Sequence, residues 1–344
     1  MRAARPTLRQ RSSTLSNTLG PEVRLPQLPV ELLDMIFAHM RPSQLESTGY
    51  YTTQPGRQDL RACHSVCCSW RDAVRPHLFH DLMTTFIPDA SVDHPWEMVD
   101  VEDNMNILQL KRRERIRTLG MLLSFLDRSP HIASHVRRLW LRCRIRSDMH
   151  HEDLPFPRDL RADPTALLSV LGSLPRLRVL HLRNVALTDL PAPEAEQHLC
   201  APLRRLQIDY VCKGGYWLMP DLEITQLLAC FTRVEELHIT GSGKWRNRAS
   251  RDDYSGPARL RLDSLVLQRV YNGGVLFKHL LHSDLTTLSC LVLRRIGLLE
   301  NEDLTLFNDF LREVGPQLCV FHIYLQHNHI RCTSNLLCTD YGNC

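Results

Sequence analysis

Residues 177–182 read Leu-Arg-Val-Leu-His-Leu, a spacing of apolar-x-x-apolar-x-apolar that recurs along the chain. Residues two apart on a β-strand face the same side, so the last two apolar positions of each unit should point inward. The first apolar position should pack at the turn before the strand. The seven apolar triplets are Val136, Leu139 and Leu141; Leu177, Leu180 and Leu182; Leu203, Leu206 and Ile208; Val234, Leu237 and Ile239; Leu262, Leu265 and Leu267; Leu288, Leu291 and Leu293; and Leu318, Phe321 and Ile323.

Apolar helical segments alternate with these strands. Successive central positions are 41, 26, 31, 28, 26 and 30 residues apart, close to the leucine-rich-repeat period of about 20 to 29 residues. One such unit cannot bury its apolar face alone, whereas stacked units share a continuous core. The spacing therefore predicts an α/β fold, an irregular leucine-rich-repeat-like solenoid of parallel strands and helices. The predicted helices cover residues 116–126, 164–174, 221–231, 276–281 and 303–314.

The units depart from the standard leucine-rich repeat three positions after the last apolar strand residue. Asparagine is typical there, but this chain has Val185, Val211, Ser242, Val270 and Ile296. In a standard repeat, a row of asparagine side chains forms hydrogen bonds to the backbone of these turns. We expect apolar side chains to pack into the turns of this chain instead.

The residues between the inward pairs should project from the other face of the sheet. Aromatic and arginine side chains there favour a protein or peptide partner through anchoring and bidentate contacts. The alternative is a solvated face without a partner. The predicted substrate-binding residues are Trp140, Arg142, His181, Arg183, Gln207, His238 and His322.

The segment 25–82 differs from the repeats and predicts helices. Pro29 and Glu31 suit a first helical turn, and Leu32, Leu33, Ile36, Phe37 and Met40 follow at helical spacing. Breaker residues occupy 41–57. A second helix is predicted from Asp59, with an apolar stripe that includes Leu60, Val66 and Trp70 and ends near Pro76.

Three stretches carry a resemblance to a known family. They are Leu28-Pro29-Val30-Glu31-Leu32-Leu33 with Ile36-Phe37, then Asp59-Leu60, then Val66-Cys67-Cys68-Ser69-Trp70-Arg71. Their residue types and order resemble the F-box motif. With the repeats, the chain resembles an F-box and leucine-rich-repeat protein of the fungal kind. One departure is the connection over 41–57, which is longer than is usual in that family.

The resemblance implies a three-helix F-box that binds the S-phase kinase-associated (Skp-type) adaptor protein and, through it, a cullin. The residues that would form or support the adaptor surface are Leu28, Pro29, Glu31, Ile36, Leu60, Val66, Cys67, Trp70 and Arg71. Internal packing of the helices is the alternative role for the apolar members of this set.

The predicted organisation has five parts. Residues 1–24 form a disordered basic tail, 25–82 the F-box helical module, 83–111 an acidic linker, 112–326 the solenoid and 327–344 a C-terminal tail.

Composition and motif spacing argue against several classes of function. A net charge of +4 over 344 residues gives no electrostatic case for nucleic acid, and no apolar run approaches the ~20 residues of a membrane span. We expect no catalytic residue, no cofactor and a cytoplasmic or nuclear protein with reduced cysteines. Gly241-Ser242-Gly243-Lys244 lacks the residues of a phosphate-binding loop. The C-terminal residues His327, His329, Cys332, Cys338 and Cys344 lack zinc-knuckle spacing, so no metal is predicted.

These observations favour a non-catalytic substrate-recognition subunit of a Skp-cullin-F-box ubiquitin ligase. Its F-box would bind the adaptor, and its repeats would bind a substrate protein of unknown identity. Two alternatives remain: an F-box protein that acts outside a ligase, and a repeat scaffold whose F-box-like helices only cap the solenoid. Capping would bury Leu28, Ile36 and Trp70 against the repeats.

Overall fold

The computed structural model describes 13 segments of the chain: residues 28–41, 55–86, 118–143, 164–185, 201–210, 219–220, 224, 227–228, 230–241, 245–246, 260–270, 274–296 and 301–324. The predicted tails over residues 1–24 and 327–344, most of the predicted linker and residues 242–244 lie outside these segments.

Eight parallel strands form one sheet, and the repeat spacing predicts seven of them. The strands in the described part of the chain are β1 (Asp81–Phe86), β2 (Arg138–Cys143), β3 (Val179–Arg183), β4 (Leu203–Tyr210), β5 (Met219–Pro220), β6 (Arg233–Gly241), β7 (Trp245–Arg246), β8 (Arg261–Gln268), β9 (Cys290–Arg294) and β10 (Val320–Tyr324). The order in the large sheet is β1-β2-β3-β4-β6-β8-β9-β10, while β5 and β7 form a separate parallel pair.

Helices cover one face of this sheet. The helices whose bounds the described segments give are α1 (Val30–Met40), α2 (Pro55–His64), α3 (Cys68–Leu78), α4 (Leu119–Arg128), α5 (Pro130–Ala133), α6 (Pro164–Gly172), α7 (Gly274–Leu281) and α8 (Asn301–Val314), followed by a 3-10 turn over Gly315–Gln317. Apolar residues of α4, α6, α7 and α8 join the strands in a single core. Of the helix predicted over 221–231, Ile224, Leu227 and Leu228 are helical and buried.

The first six apolar triplets are buried, which confirms the inward pairs predicted for β2, β3, β4, β6, β8 and β9. The register aligns their members across the sheet, so that Leu180 pairs with Leu139 on one side and with Leu206 on the other. The seventh pair is a correction: Phe321 and Ile323 of β10 are 48% and 41% exposed. Strand β10 is the last strand of the sheet, and no described strand pairs with its outer edge. Its side chains therefore lack the neighbouring unit that covers those of the inner strands.

The turns after the strands share a backbone conformation that the spacing did not predict. Asn184, Arg269 and Arg295 have φ of 53°, 56° and 54°, the left-handed region. Each lies two positions after the last inward strand residue and donates its N–H to a carbonyl near the end of the next strand, as Arg269 does to Arg294 at 2.8 Å and Asn184 does to Asp209 at 2.7 Å. The apolar residues that follow, Val185, Val270 and Ile296, are buried, as expected of turn wedges.

The sheet begins earlier in the chain than the repeats indicate. Strand β1 follows α3 after two residues and pairs with β2 along its whole length, from Asp81–Arg138 to Phe86–Cys143. It therefore crosses the boundary between module and linker that was drawn after residue 82. The sheet is joined directly to the N-terminal helices.

The N-terminal helices have a small core of their own. Leu33 and Phe37 of α1 pack with Leu60 of α2 and Val74 of α3. The prediction of a single second helix from Asp59 is wrong. This part of the chain forms two helices, α2 and α3, which are separated at Ser65–Cys67. There, the Ser65 hydroxyl bonds to the Arg61 carbonyl and Cys67 is extended, which ends the helical hydrogen bonding. Pro76 lies inside α3 near its end.

Candidate interaction surfaces

The first candidate surface is a set of exposed apolar side chains on and beside α1. Leu32, Met35 and Ile36 lie on neighbouring turns of α1, away from the buried pair Leu33 and Phe37, and Leu28 lies two residues before the helix begins. The exposed fractions are 46% for Leu28, 45% for Leu32 and Ile36, and 58% for Met35. We call these four residues the α1 apolar row. Val30 and Val66 are also exposed.

The predicted adaptor-binding residues divide into exposed and packed groups. Leu28, Pro29, Glu31, Ile36, Val66, Cys67 and Arg71 are exposed. Leu60 is buried in the module core, so its role in this structure is packing. Trp70 is half-buried, and its ring lies edge-on to Phe37 with 5.7 Å between centroids. The row members Leu32 and Met35 were not in the predicted set, although Leu32 lies one helical turn from Ile36.

A polar network fixes α1 against α3. The His77 ring is buried, and its Nε2 lies 2.7 Å from Asp34 Oδ1. Its Nδ1 accepts a hydrogen bond from Arg41 Nε at 2.8 Å. Because Arg41 can only donate, the ring proton must lie on Nε2 and point to Asp34. Burial, opposed by the bond to Asp34, lowers the pKa of His77 below its ordinary value. The neutral ring therefore fits this contact and holds α1 in place.

The second candidate surface is the sheet face opposite the helices, here called the polar face. The pairing register aligns its central row as Met83, Trp140, His181, Gln207, His238, Val266, Val292 and His322. The flanking row is Thr85, Arg142, Arg183, Asp209, Thr240, Gln268, Arg294 and Tyr324. The register thus brings together on adjacent strands the predicted residues Trp140 through His238. His322 lies at the far edge on β10, apart from them.

The polar face has a compact cluster on β2, β3 and β4. His181 Nε2 lies 2.6 Å from Asp209 Oδ2, and Gln207 Nε2 donates to the same oxygen at 2.9 Å. Trp140 stacks edge-on to the His181 ring with 4.2 Å between centroids. Burial raises the pKa of Asp209, but the interactions with His181 and the hydrogen bonds from Gln207 and Thr240 together outweigh burial and lower the pKa, so the carboxylate is ionised near neutral pH.

The cluster corrects the expectation that this row is open to solvent. His181 is only 5% exposed, because the Trp140 ring and the Asp209 carboxylate flank it on the neighbouring strands. Gln207 and His238 are half-buried, and His322 is exposed. The contact of Asp209 with His181 was not predicted. The two residues are neither aligned nor adjacent in sequence, so only the side-chain directions could reveal it.

The polar face continues beyond the cluster with charged pairs. Arg205 Nε donates to Glu236 Oε2 at 2.6 Å, and Arg233 reaches Asp263 at 3.1 Å. Burial and then the nearby Arg205 lower the pKa of His238. At the last strands, a pocket of about 500 Å³ is lined by Val292, Leu293, Arg294, Val320, His322, Ile323 and Tyr324.

Neither a metal cluster nor a membrane-spanning helix is found in the described segments. No group of three or more His, Cys, Asp or Glu residues there could hold a metal ion. No described helix is both long enough and apolar enough to cross a bilayer. No family model matches the chain, and no curated protein is detectably similar to it. The two surfaces must therefore be interpreted from their own chemistry.

Proposed function

We propose that this chain is a non-catalytic substrate-recognition subunit of a Skp-cullin-F-box ubiquitin ligase. The observation that carries the proposal is the α1 apolar row. Its four large side chains remain exposed although the same helix buries Leu33 and Phe37 in a complete small core. Contiguous exposed apolar side chains on a small module indicate a protein partner.

The location of the row supports a Skp-type adaptor as that partner. Leu28 and Ile36 lie in the first stretch that resembles an F-box, and Val66, Cys67 and Arg71 of the last stretch are exposed as well. Full burial of one such apolar side chain contributes about 1.5 to 3 kcal/mol. A few anchors of this size account for most of the free energy of a typical interface.

The capping alternative is less well supported. A scaffold that uses these helices only to close the solenoid would bury Leu28, Ile36 and Trp70 against the repeats. Instead, Leu28 and Ile36 are exposed, and the described contact of the Trp70 ring is with Phe37 of its own module. An F-box protein outside a ligase would use the same row. It would differ by forming no complex that contains a cullin.

The polar face is the proposed site of substrate capture. Trp140 and Arg183 lie on adjacent strands and are only half-buried, which leaves part of each side chain accessible. Aromatic and arginine residues are the types most enriched at interface hot spots. The proposal includes no nucleic acid, membrane or cofactor, and the implied compartment is the cytoplasm or nucleus, where the adaptor and cullin act.

The test is a double substitution in the row, Leu32→Glu with Ile36→Glu, followed by co-purification and titration with the adaptor. Each change places a charge at an interface position, so the affinity should fall at least thirtyfold, about 2 kcal/mol. Thermal unfolding should change little, because neither side chain is in the core. The matched control is Leu304→Glu, an exposed leucine on α8. Unchanged affinity in the double variant would refute the proposed surface.

A further inference from the structure

A row of arginines lies where strands β2, β3 and β4 begin to pair. The Arg178 N–H donates to the carbonyl of Arg137 at 2.8 Å, and the Arg204 N–H donates to the carbonyl of Arg178 at 2.8 Å. The register places these three residues on neighbouring strands, one position before the first pairs. Arg176 joins them from the turn before β3, because Arg137 Nη1 donates to its carbonyl at 3.5 Å. We call Arg137, Arg176, Arg178 and Arg204 the basic edge.

The basic edge is open to solvent and concentrates positive charge. Arg176, Arg178 and Arg204 are exposed, and Arg137 is half-buried. Burial, followed by the charges of Arg176 and Arg178, lowers the pKa of Arg137. In the turn before β2, burial, followed by cationic neighbours of which Arg176 has the largest effect, lowers the pKa of His135. Both shifts have the direction that a cluster of like charges produces.

The carboxylates on the flanking strands have other partners. Asp81 on β1 lies 2.7 Å from His80 Nδ1, and Glu236 on β6 accepts a hydrogen bond from Arg205 Nε at 2.6 Å. Among the described residues, no carboxylate forms an ion pair with the basic edge. Like charges on directly opposite strand positions destabilise a sheet. The row is therefore better explained by binding than by its contribution to folding.

We propose that the basic edge binds a short acidic segment of a partner protein through its Asp and Glu carboxylates. A guanidinium group can donate two parallel N–H bonds to one carboxylate, which suits a row of arginines to this ligand. Adjacent strands lie about 4.8 Å apart, so three strands span roughly 10 Å. That is the length of about three residues of an extended chain. A few carboxylates are therefore enough to occupy the edge.

The next strands favour a short acidic segment over a nucleic acid. The positions that continue the row are Glu235 on β6 and Asp263 on β8. Both lie beside Arg233, at 3.9 Å and 3.1 Å respectively. Their negative charges would repel an anionic chain that extended past β4. A nucleic acid strand carries a phosphate at every nucleotide and would meet these acids.

The basic edge lies on the same three strands as the compact cluster of the polar face. Trp140 follows Arg137 by three residues, and His181 follows Arg178 by three residues. Three residues of a strand cover roughly 10 Å. A partner segment bound at the edge can therefore continue onto the polar face. That this partner is the captured substrate rests on the proposed function; the preference of the edge for an acidic peptide does not.

The experiment is titration of a fluorescently labelled hexaglutamate peptide with the full chain at low ionic strength, beside a hexaglutamine peptide. Hexaglutamate should bind with a Kd on the order of millimolar or tighter, as several exposed ion pairs would give, and hexaglutamine should not bind. Arg176→Gln with Arg178→Gln should weaken binding about tenfold. The matched control is Arg269→Gln with Arg312→Gln. It removes the same charge from exposed arginines after β8 and on α8, and it should bind like the wild type.

Thermal unfolding distinguishes a binding role from a structural one. Removal of Arg176 and Arg178 relieves like-charge repulsion, so the variant should be at least as stable as the wild type. Added salt should weaken hexaglutamate binding to the wild type and reduce its advantage over the variant. Binding that is lost only together with a lower unfolding temperature would overturn the site.

The remaining outcomes separate the basic edge from the proposed function. Equal affinity for hexaglutamine, or equal loss in the two double variants, would overturn the edge as an acidic-segment site. Tighter binding of an oligothymidylate of equal charge would assign the edge to nucleic acid and overturn the proposal as well. Adaptor affinity is measured on the same samples: its absence with hexaglutamate binding intact would overturn the ligase proposal alone.

Discussion

At the scale of single residues, two buried histidines show how the fold keeps an ionisable ring neutral. His77 has a bond at each nitrogen and lies between Asp34 and Arg41. A second proton, placed on Nδ1, would face Arg41, which can only donate. His279 on α7 is 3% exposed, and burial, followed by the charge of His282, lowers its pKa to about 4.

His279 should make the protein sensitive to acid. The unfolded chain binds a proton near pH 6.5 and the folded chain only near pH 4, so stability is complete above pH 6.5 and falls as the pH drops between these values. The expected loss by pH 4 is on the order of 3 kcal/mol. Denaturant unfolding of the wild type and of His279→Leu between pH 7 and 4.5 measures it. The variant should show the smaller pH dependence, and parallel profiles would contradict the assignment.

At the scale of elements, the strand repeat was predictable and its turns were not. Apolar spacing predicted the inward pairs of six strands, because burial on one face of a strand imposes a period of two. The sequence did not predict the left-handed backbone conformation of Arg269 and Arg295, because glycine and asparagine are the residues that usually indicate this conformation. Strand β1 was missed because its sequence, DLMTTF, lacks the repeat spacing.

The sequence predicted which residues form the candidate surfaces better than it predicted how far their side chains are buried. Strand alternation predicted which residues share the polar face, and the register confirms their alignment. It could not predict that His181 would be buried between Trp140 and Asp209, because that depends on side-chain directions across three strands. In α1, the sequence indicated an amphipathic helix with one apolar face. The apolar residues instead divide into a buried pair and an exposed row.

The terminal strand offers a test of how stacking distributes stability. Leu293 on β9 is buried, whereas its register partner Ile323 on β10 is 41% exposed. Leu293→Ala should therefore cost about 2 to 5 kcal/mol, the range for a core leucine. Ile323→Ala should cost about 1 kcal/mol or less. Denaturant unfolding of the two variants gives both values. Equal losses would show that β10 is covered as fully as the inner strands.

At the scale of the whole molecule, the two surfaces lie on different elements and have different chemistry. The α1 apolar row belongs to a helical module with its own core, and the polar face belongs to the eight-stranded sheet. Mutations that are more than about 7 to 10 Å apart and share no partner usually act independently. Adaptor binding and substrate capture should therefore be separable by mutation.

Replacing Trp140, Arg142 and Arg183 together with alanine should abolish capture and leave adaptor affinity unchanged. Captured proteins can be identified by proximity labelling with residues 25–80 deleted, which keeps β1 whole, and then compared between the full-length wild type and the triple variant. Retained adaptor binding controls for folding of the helical module, and an unchanged circular dichroism spectrum controls for folding of the sheet. If the captured proteins stayed with the triple variant, the polar face would not be the capture surface.

The most direct test of the central claim is calorimetric titration of the full chain with a purified Skp-type adaptor. A partner that covers the α1 apolar row should bind in a one-to-one complex with a Kd on the order of micromolar or below and a negative heat-capacity change, because apolar surface is buried. The complex should then recruit a cullin. Folded protein that gives neither heat nor a complex with the adaptor would contradict the account.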